Sequence, residues 1–221
     1  MLPVKREGDE GCALLVIDLQ GRLAGRYKID IQPEKALNEQ DRKQALEKAL
    51  DGEIVTYADT AVIATLGGRR TAYLLAGKFP GFKGFIHVMP ALDSGFRILG
   101  LEILEHSEDP GLGGEIEQVY FKNQFKGRDL DHLKYLKVIK QPLSKEYKIY
   151  LEAKKPEEIY SNADLAEIEK KYQNSDIHAL TGATISSRAV TRGIKNIVKK
   201  FIYRIRILDR VISENKIPAT F

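Results

Sequence analysis

Hydroxyl side chains surround a glycine in the segment DIHALTGATISSRAV, residues 176–190. They belong to Thr181, Thr184, Ser186 and Ser187. A helix N-terminus presents unpaired N–H groups and the positive end of the helix dipole, and a glycine turn lets those amides approach an anion closely. Three uses are therefore open: Ser186 or Ser187 caps the helix, the turn binds a phosphate, or a hydroxyl carries a phosphate covalently.

The segment is followed by a pattern typical of a long amphipathic helix. Apolar residues recur there at intervals of three or four: Val190, Ile194, Ile197, Phe201, Ile205, Leu208 and Ile212. The basic residues lie mostly off this stripe: Arg192, Lys195, Lys199, Lys200, Arg206 and Arg210. They can form a solvated face or bind nucleic acid or acidic lipid, and we favour the solvated face.

The N-terminal half predicts strands around one helix. LLVIDLQGRLAGRYKIDI, residues 14–31, indicates a strand or hairpin. A helix is predicted over residues 39–50, with Asn38 as its N-cap and Gly52 at its end. From about residue 54 to residue 105, four short apolar segments separated by glycines predict three or four antiparallel strands: AVIATL, TAYLLAG, GFIHVMPAL and FRILGLEILEH.

The middle of the chain is predicted from turn residues and short apolar runs. Residues 105–116, EHSEDPGLGGEI, read as a loop, and QVYFKNQFKG fits either a short helix or a strand. LDHLKYLKVIK and KEYKIYLEA, residues 130–140 and 145–153, are predicted as strands. A helix is predicted over residues 162–174, with Asn162 as its N-cap. We therefore predict a single α+β domain: an antiparallel sheet flanked by helices, with a long C-terminal helix.

Composition excludes several classes of site. Cys12 is the only cysteine, so an intramolecular disulfide and a cysteine-based metal site are excluded. The formal net charge of +4 gives little support for a nucleic-acid partner. No nucleophile–base–acid arrangement supports hydrolysis, and the early apolar run ALLVID is too short to span a bilayer. We expect the chain as given to be soluble.

LTGATISSRAV resembles the flavinylation motif of the FMN-binding domain family. This family includes the G subunit of the Rnf electron-transport complex and the C subunit of the sodium-translocating NADH:quinone oxidoreductase. The family pattern is Asp-x-x-Ser/Thr-Gly-Ala-Thr, and its last threonine is joined through its hydroxyl to the phosphate of FMN. The matching residues are Thr181, Gly182, Ala183 and Thr184. The resemblance implies that Thr184 is the attachment site and Thr181 a second hydroxyl donor.

Two further segments carry the resemblance. The first is similar to the family's His-x-Glu-Thr-Pro-Gly-Leu-Gly loop, which lies against the flavin, and matches at His106, Glu108, Pro110, Gly111, Leu112 and Gly113. The resemblance implies that Leu112 and the Pro110-Gly111 turn pack on the isoalloxazine ring. Glu108 either hydrogen-bonds a ribityl hydroxyl or stabilises the loop. The second segment is similar to the family's Gly-Tyr-x-Gly turn and matches at Gly81, Phe82 and Gly84.

The chain departs from the family pattern at three places. His178 stands where the family has an aspartate, and Asp109 stands where threonine is usual. The family's N-terminal membrane helix is absent from residues 1–31, which we predict to be a strand or hairpin segment preceding an FMN-binding domain at residues 32–221. His106 is expected to anchor its loop. For His178, a contact with the phosphate or ribityl chain and a surface-loop role are both open.

The resemblance implies an electron-transfer subunit with covalent FMN, part of an Rnf-type ion-translocating ferredoxin, NAD or quinone oxidoreductase complex. Such a subunit is a redox carrier and not a complete enzyme. Its expected partners are the other subunits of a membrane complex and a flavin transferase, and its expected location is the extracytoplasmic face. Two alternatives remain: the FMN-binding domain of a different or stand-alone flavin reductase, and a non-redox binding module.

Overall fold

The chain folds as an α+β structure, and this predicted class is confirmed, including the antiparallel sheets and the long C-terminal helix. The computed structural model describes residues 2–6, 9–32, 35, 38–49, 61–172 and 174–218. Two compact units are present: one within residues 1–59 and 203–221, the other within residues 60–202. The predicted division between residues 31 and 32 stays a prediction.

The first unit contains a three-stranded antiparallel sheet. Its strands, in the order β1-β2-β3, are β1 (Leu2–Arg6), β2 (Asp9–Ile17) and β3 (Leu23–Ile29). The predicted hairpin within residues 14–31 is thus confirmed. Asp18 closes the turn between β2 and β3, because its Oδ1 accepts from Arg22 N at 2.8 Å.

Helix α1 (Glu39–Ala49) belongs to the same unit. Asn38 Oδ1 accepts from the amides of Gln40 and Asp41 at 2.9 and 3.2 Å, so the predicted N-cap is confirmed. The predicted end of this helix at Gly52 lies outside the described residues.

The second unit is built on a five-stranded antiparallel sheet. Its strands are β4 (Ala61–Leu66), β5 (Arg69–Leu75), β6 (Gly77–Pro80), β7 (Phe85–Asp93) and β8 (Ile98–Glu105). β7 pairs with β5, β6 and β8. The four apolar segments predicted as strands all form strands. The fifth strand, β6, has four residues and was not predicted as a strand. It begins with glycine and ends with proline, and both residues are uncommon in strands.

The core of this unit lies between one face of the sheet and helix α6 (Thr184–Glu214). Ile86, Val88 and Leu92 alternate along β7 and are fully buried. All seven residues of the predicted apolar stripe on α6 are buried or partly buried. Each fully buried aliphatic side chain contributes roughly 1.5–3 kcal/mol relative to exposure, so this packing holds the helix against the sheet.

Short helices fill the chain between β8 and α6. They are α2 (Val119–Lys122), α3 (Leu130–Tyr135), α4 (Lys145–Glu152) and α5 (Asn162–Tyr172), with 3-10 turns at Gly113–Glu117, Asn123–Phe125 and Pro156–Glu158. Two short strands in this region, β9 (Val138–Ile139) and β10 (Ile177–His178), pair in parallel. The segment QVYFKNQFKG, for which helix and strand were both open, is therefore helical.

Two strand predictions in this region are wrong. Residues 130–135 form α3, because Asp129 Oδ1 caps the amides of Asp131 and His132 at 3.0 Å each. From residue 130 to 140, only Val138–Ile139 is a strand.

Residues 145–152 form α4 because Ser144 Oγ caps Tyr147 N at 3.2 Å. The apolar residues Tyr147, Ile149 and Leu151 imitate the period of a strand. Only Tyr147 and Leu151, four residues apart, are buried, and Ile149 is exposed. The segment is therefore a helix capped by Ser144, although its apolar residues are spaced as in a strand.

The predicted N-cap of α5 is also wrong by one residue. Asn162 lies inside the helix, and Ser161 precedes it. Ser161 Oγ accepts from Asp164 N at 3.2 Å, while Asp164 Oδ2 accepts from Ser161 N at 3.3 Å. This reciprocal pair is a capping box, with aspartate in place of the usual glutamate.

Candidate functional site

The Thr-Gly-Ala-Thr segment forms a tight turn into α6. Ala183 N donates to Leu180 O at 3.0 Å, and Gly182 has φ +74°. A positive φ at the third residue of a turn favours glycine, because a Cβ is strained there. A Cβ on Gly182 would also lie 2.8 Å from Leu112 Cδ2. Thr184 is the first residue of the helix, and its side chain is partly buried.

Ser187 closes this turn from inside the helix. Its Oγ accepts from Leu180 N at 3.1 Å and donates to Ala183 O at 2.9 Å. The side chain is fully buried. Helix α6 thus begins at Thr184. The alternative that Ser186 or Ser187 is the N-cap is wrong, because both lie within the first turn.

The chain leading into the turn is fixed by a buried glutamine. Gln124 Oε1 accepts from His178 N at 2.8 Å, and Gln124 Nε2 donates to His178 O at 3.3 Å. Arg128 Nε donates to Gln124 O at 2.7 Å, and burial lowers the pKa of the Arg128 guanidinium. The His178 ring lies 2.8 Å from Gln141 O through Nδ1. These contacts hold His178 at the end of β10, beside the turn.

The glycine loop opposite the turn is closed by its own backbone. Asp109 O accepts from Leu112 N at 3.2 Å and from Gly114 N at 2.8 Å. His106 Nδ1 accepts from Glu108 N at 3.1 Å, and His106 Nε2 lies 2.9 Å from Glu117 Oε1. The histidine therefore anchors the loop, as expected.

Glu108 joins the loop to the rest of the site. The side chain is 5% exposed. Oε1 accepts from the amides of Phe82 and Lys83 at 2.7 and 3.0 Å, and Oε2 accepts from the Ser186 hydroxyl. Of the two roles considered for Glu108, these contacts correspond to stabilising the loop.

A shallow pocket of ≈ 210 Å³ lies where the turn, the loop and the Gly81–Gly84 segment meet. Its lining residues are Phe82, Glu108, Asp109, Leu112, Gly113, Gly182, Ala183, Thr184, Ile185 and Ser186. Of the predicted site residues, six line this pocket: Glu108, Leu112, Gly113, Gly182, Ala183 and Thr184. The other three, Thr181, Pro110 and Gly111, are exposed and do not line it.

Four lining residues were absent from the predicted site: Phe82, Asp109, Ile185 and Ser186. All four lie in segments that the sequence analysis singles out. Phe82 lies in the segment similar to the Gly-Tyr-x-Gly turn, and Asp109 replaces the usual threonine of the glycine loop. Ile185 and Ser186 directly follow Thr184. The sequence does not show that these side chains meet, because the three segments are far apart in the chain.

The pocket has a polar side and an apolar rim. The amides of residues 184–186, in the first turn of α6, have no carbonyl partner within the helix and carry the positive end of its dipole. Phe82, Leu112 and Ile185 are 47–60% exposed and form the rim. Lys83 Nζ contacts Asp109 Oδ1 at 2.5 Å. The arrangement suits an anion linked to a flat apolar group.

Comparison with known proteins agrees with this arrangement. A family model described as "FMN-binding domain" matches residues 81–199, more than half of the chain. The chain belongs to the FMN-binding domain family. The resemblance found in the sequence is thereby confirmed, and the family supports FMN as the cofactor.

Two similar proteins are subunits of ion-translocating complexes. One is the G subunit of the proton-translocating ferredoxin:NAD(+) oxidoreductase complex of Clostridium ljungdahlii, 27% identical over 62% of this chain and 57% of the relative. Another is the G subunit of the ion-translocating oxidoreductase complex of Vibrio vulnificus, 26% identical over 63% of this chain and 53% of the relative. The chain thus spans little more than half the length of these relatives.

Two solved structures are similar to this chain in fold. The Shewanella oneidensis NqrC structure has a TM-score of 0.43 and 18% identity, covering 61% of this chain and 52% of its own. The C subunit of the Na(+)-translocating NADH-quinone reductase from Parabacteroides distasonis has a TM-score of 0.47 and 18% identity, covering 90% and 77%.

The residues of the pocket fit the phosphate end of FMN. The free first-turn amides and the Thr184 hydroxyl suit a phosphate. The absence of a Cβ at Gly182 and Gly113 lets Leu112 and Glu108 pack closely against the two backbones. The volume is below that of typical ligand cavities, so a larger group would extend over the apolar rim. Among the described residues, no cluster suited to a metal ion is present, and no helix there is both long and apolar enough to cross a bilayer.

Proposed function

We propose that this chain is an electron-transfer subunit that carries FMN covalently on Thr184 within an ion-translocating oxidoreductase complex. The observation that carries the proposal is the position of Thr184. It is the first residue of a 31-residue helix and lines a pocket built from all three segments that resemble the family. The names of the relatives, which are those of complex subunits, support the assignment to such a complex.

In this proposal each side of the pocket has its own role. The Thr184 hydroxyl forms the ester, and the first-turn amides with the helix dipole stabilise the phosphate charge. Phe82, Leu112 and Ile185 offer apolar contact to the ring. Pro110 and Gly111 lie in the exposed loop beside Leu112, from which they can reach a ring extending beyond the pocket. Bound FMN supplies one- and two-electron redox chemistry, which no side chain of this pocket provides.

The ester also determines the partners that the proposal requires. Its net formation joins Thr184 Oγ to phosphorus with loss of one water, and a flavin transferase is the expected catalyst. Electrons then enter and leave through other subunits of a membrane complex, with this subunit on the extracytoplasmic face. Thr181, three residues earlier and exposed, is not required for the ester in this proposal.

Intact mass spectrometry tests the attachment. The chain is expressed with and without a flavin transferase, as wild type, Thr184→Val and Thr181→Val. We expect an added mass of FMN minus water in wild type and in Thr181→Val, only with the transferase, and none in Thr184→Val. Thr181→Val is the matched control, because it removes a motif hydroxyl that does not line the pocket. An unmodified wild type in the presence of the transferase would contradict the proposal.

The carrier role is tested on the modified protein. The visible flavin absorbance should bleach on reduction and return on oxidation, without turnover of NADH by the isolated chain. Capture of neighbouring complex subunits from the native membrane would support the complex. Steady NADH oxidation by the isolated chain would instead favour a stand-alone flavin reductase. A chain that acquires no flavin under any of these conditions would favour a non-redox binding module.

A further inference from the structure

One buried carboxylate gathers three segments that are far apart in the sequence. Glu108 is 26 and 25 residues from the two amides bound by its Oε1, those of Phe82 and Lys83. It is 78 residues from Ser186, whose hydroxyl donates to its Oε2. We call this set of contacts the Glu108 bridge. Its members come from the turn before β7, the glycine loop and the first turn of α6.

The packing around the bridge leaves the carboxylate little freedom. A Cβ on Gly113 would lie 2.6 Å from Glu108 Oε2 and 2.8 Å from Ser186 Oγ. The glycine therefore allows the loop backbone to approach both partners. Oε1 is held by two amides of one tight turn, in which Gly81 N also donates to Gly84 O at 2.6 Å. A side chain shorter than glutamate cannot span from the loop to both the turn and the helix.

We infer that Glu108 is a positioning residue: the Glu108 bridge sets the distance between the glycine loop, the Phe82 turn and the start of α6, and so gives the Thr184 pocket its shape. The consequence for flavin attachment rests on the proposed function, whereas the bridge itself does not. In this arrangement both oxygens of Glu108 are engaged by the protein, Oε1 by two amides and Oε2 by the Ser186 hydroxyl.

The bridge requires the length of the side chain at residue 108 and not its negative charge. Glutamine at residue 108 has the same length as glutamate. Its Oε1 can accept from Phe82 N and Lys83 N, and its Nε2 can donate to Ser186 Oγ, since a hydroxyl both donates and accepts. Glu108→Gln should therefore keep the bridge, while Glu108→Ala removes it. Loss of the acceptor leaves the two amides without a partner.

Amide hydrogen exchange measured residue by residue tests the bridge on the unmodified chain. In Glu108→Ala we expect protection at Phe82 and Lys83 to fall by about tenfold or more, because both amides lose the side-chain acceptor that they share. Glu108→Gln should retain wild-type protection. Glu115→Ala is the matched control, a partly buried glutamate of the same loop, and should change neither amide.

Amides of Ile86 and Val88 in β7 report whether the sheet remains folded. If Glu108→Ala loses protection there too, Ser186→Ala replaces it, because this variant removes one contact and keeps the other two. We then expect exchange to rise first at Ser187, whose amide is the first in α6 to have a carbonyl partner. Wild-type protection at Phe82 and Lys83 in Glu108→Ala, with a folded sheet, would overturn the inference. Equal loss in Glu108→Gln would also overturn it, because charge and not length would then hold the bridge.

The second readout is the extent of flavin attachment by intact mass, together with visible circular dichroism of the bound flavin. We expect about a tenfold lower modified fraction in Glu108→Ala, and rescue of both the fraction and the spectrum in Glu108→Gln. Unchanged attachment in Glu108→Ala would overturn the positioning role toward flavin. If wild type carries no flavin, the proposed function fails, and hydrogen exchange still decides whether the bridge exists.

Discussion

The two sides of the pocket are held by contacts of different range. The turn before Thr184 is closed by its neighbours, since Ser187 Oγ reaches Leu180 N seven residues away and Ala183 O four residues away. The glycine loop facing it depends on Glu108, whose partners lie 25 to 78 residues away. The turn therefore carries its own shape, whereas the loop acquires its place only in the folded domain.

Removing the local closure should have the largest effect on stability. Ser187→Ala leaves the buried amide of Leu180 without its partner, whereas Ala183 O keeps its bond from Ser187 N. We expect the free energy of unfolding to fall by about 2–3 kcal/mol. Urea denaturation measures this change. Ser213→Ala, at an exposed serine of the same helix, is the control and should change the value little. A loss no greater than in the control would mean that the turn is not closed by Ser187.

Strain in the turn should give the next largest effect. Gly182→Ala places a Cβ at φ +74°, which costs about 1–2 kcal/mol, and the crowded Leu112 side chain can move away because it is exposed. Gly100→Ala is the matched control, since a Cβ there meets nothing within 4 Å. Equal unfolding free energies for the two variants would show that the turn conformation is not strained by a side chain.

The range of contacts also explains what the sequence could predict. The Thr-Gly-Ala-Thr turn, α1 and its Asn38 cap, and the stripe on α6 all depend on near neighbours, and the sequence predicts them. The partners of Glu108 cannot be predicted, because nothing in a single sequence pairs residue 108 with residues 82 and 186. For α3 and α4 the sequence predicts strands, because their apolar spacing obscures the local capping signals of Asp129 and Ser144.

Asp129, which caps α3 outside the pocket, tests whether a local contact also stabilises the fold in another part of the chain. Asp129→Ala should lower the free energy of unfolding by about 1 kcal/mol near neutral pH. Hydrogen bonds from the backbone and ring of His132 lower the pKa of Asp129 below its ordinary value of 3.8. The stabilisation is therefore complete above the unfolded pKa and is lost as the pH falls through the folded one. The difference between wild type and variant should shrink in acid, and a difference independent of pH would contradict the cap.

The smallest effect should come from the exposed ion pair beside the pocket. Lys83→Met removes the contact of Lys83 Nζ with Asp109 but keeps the Lys83 amide in the Glu108 bridge. Both side chains are more than a third exposed, so we expect a loss of about 0.5 kcal/mol or less in urea denaturation. Hydrogen exchange at residues 82 and 83 should stay as in wild type. A large loss of protection would mean that the ammonium group, and not the backbone, holds this turn.

The attachment residue is tested most directly by fragmentation of one tryptic peptide. Cleavage after Lys171 and Arg188 releases residues 172–188, which contain every hydroxyl of the motif: Thr181, Thr184, Ser186 and Ser187. After expression with a flavin transferase, the mass of FMN minus water should be found on Thr184 alone. The same mass on Thr181, Ser186 or Ser187, or on no residue of this peptide in a modified chain, would contradict the proposal.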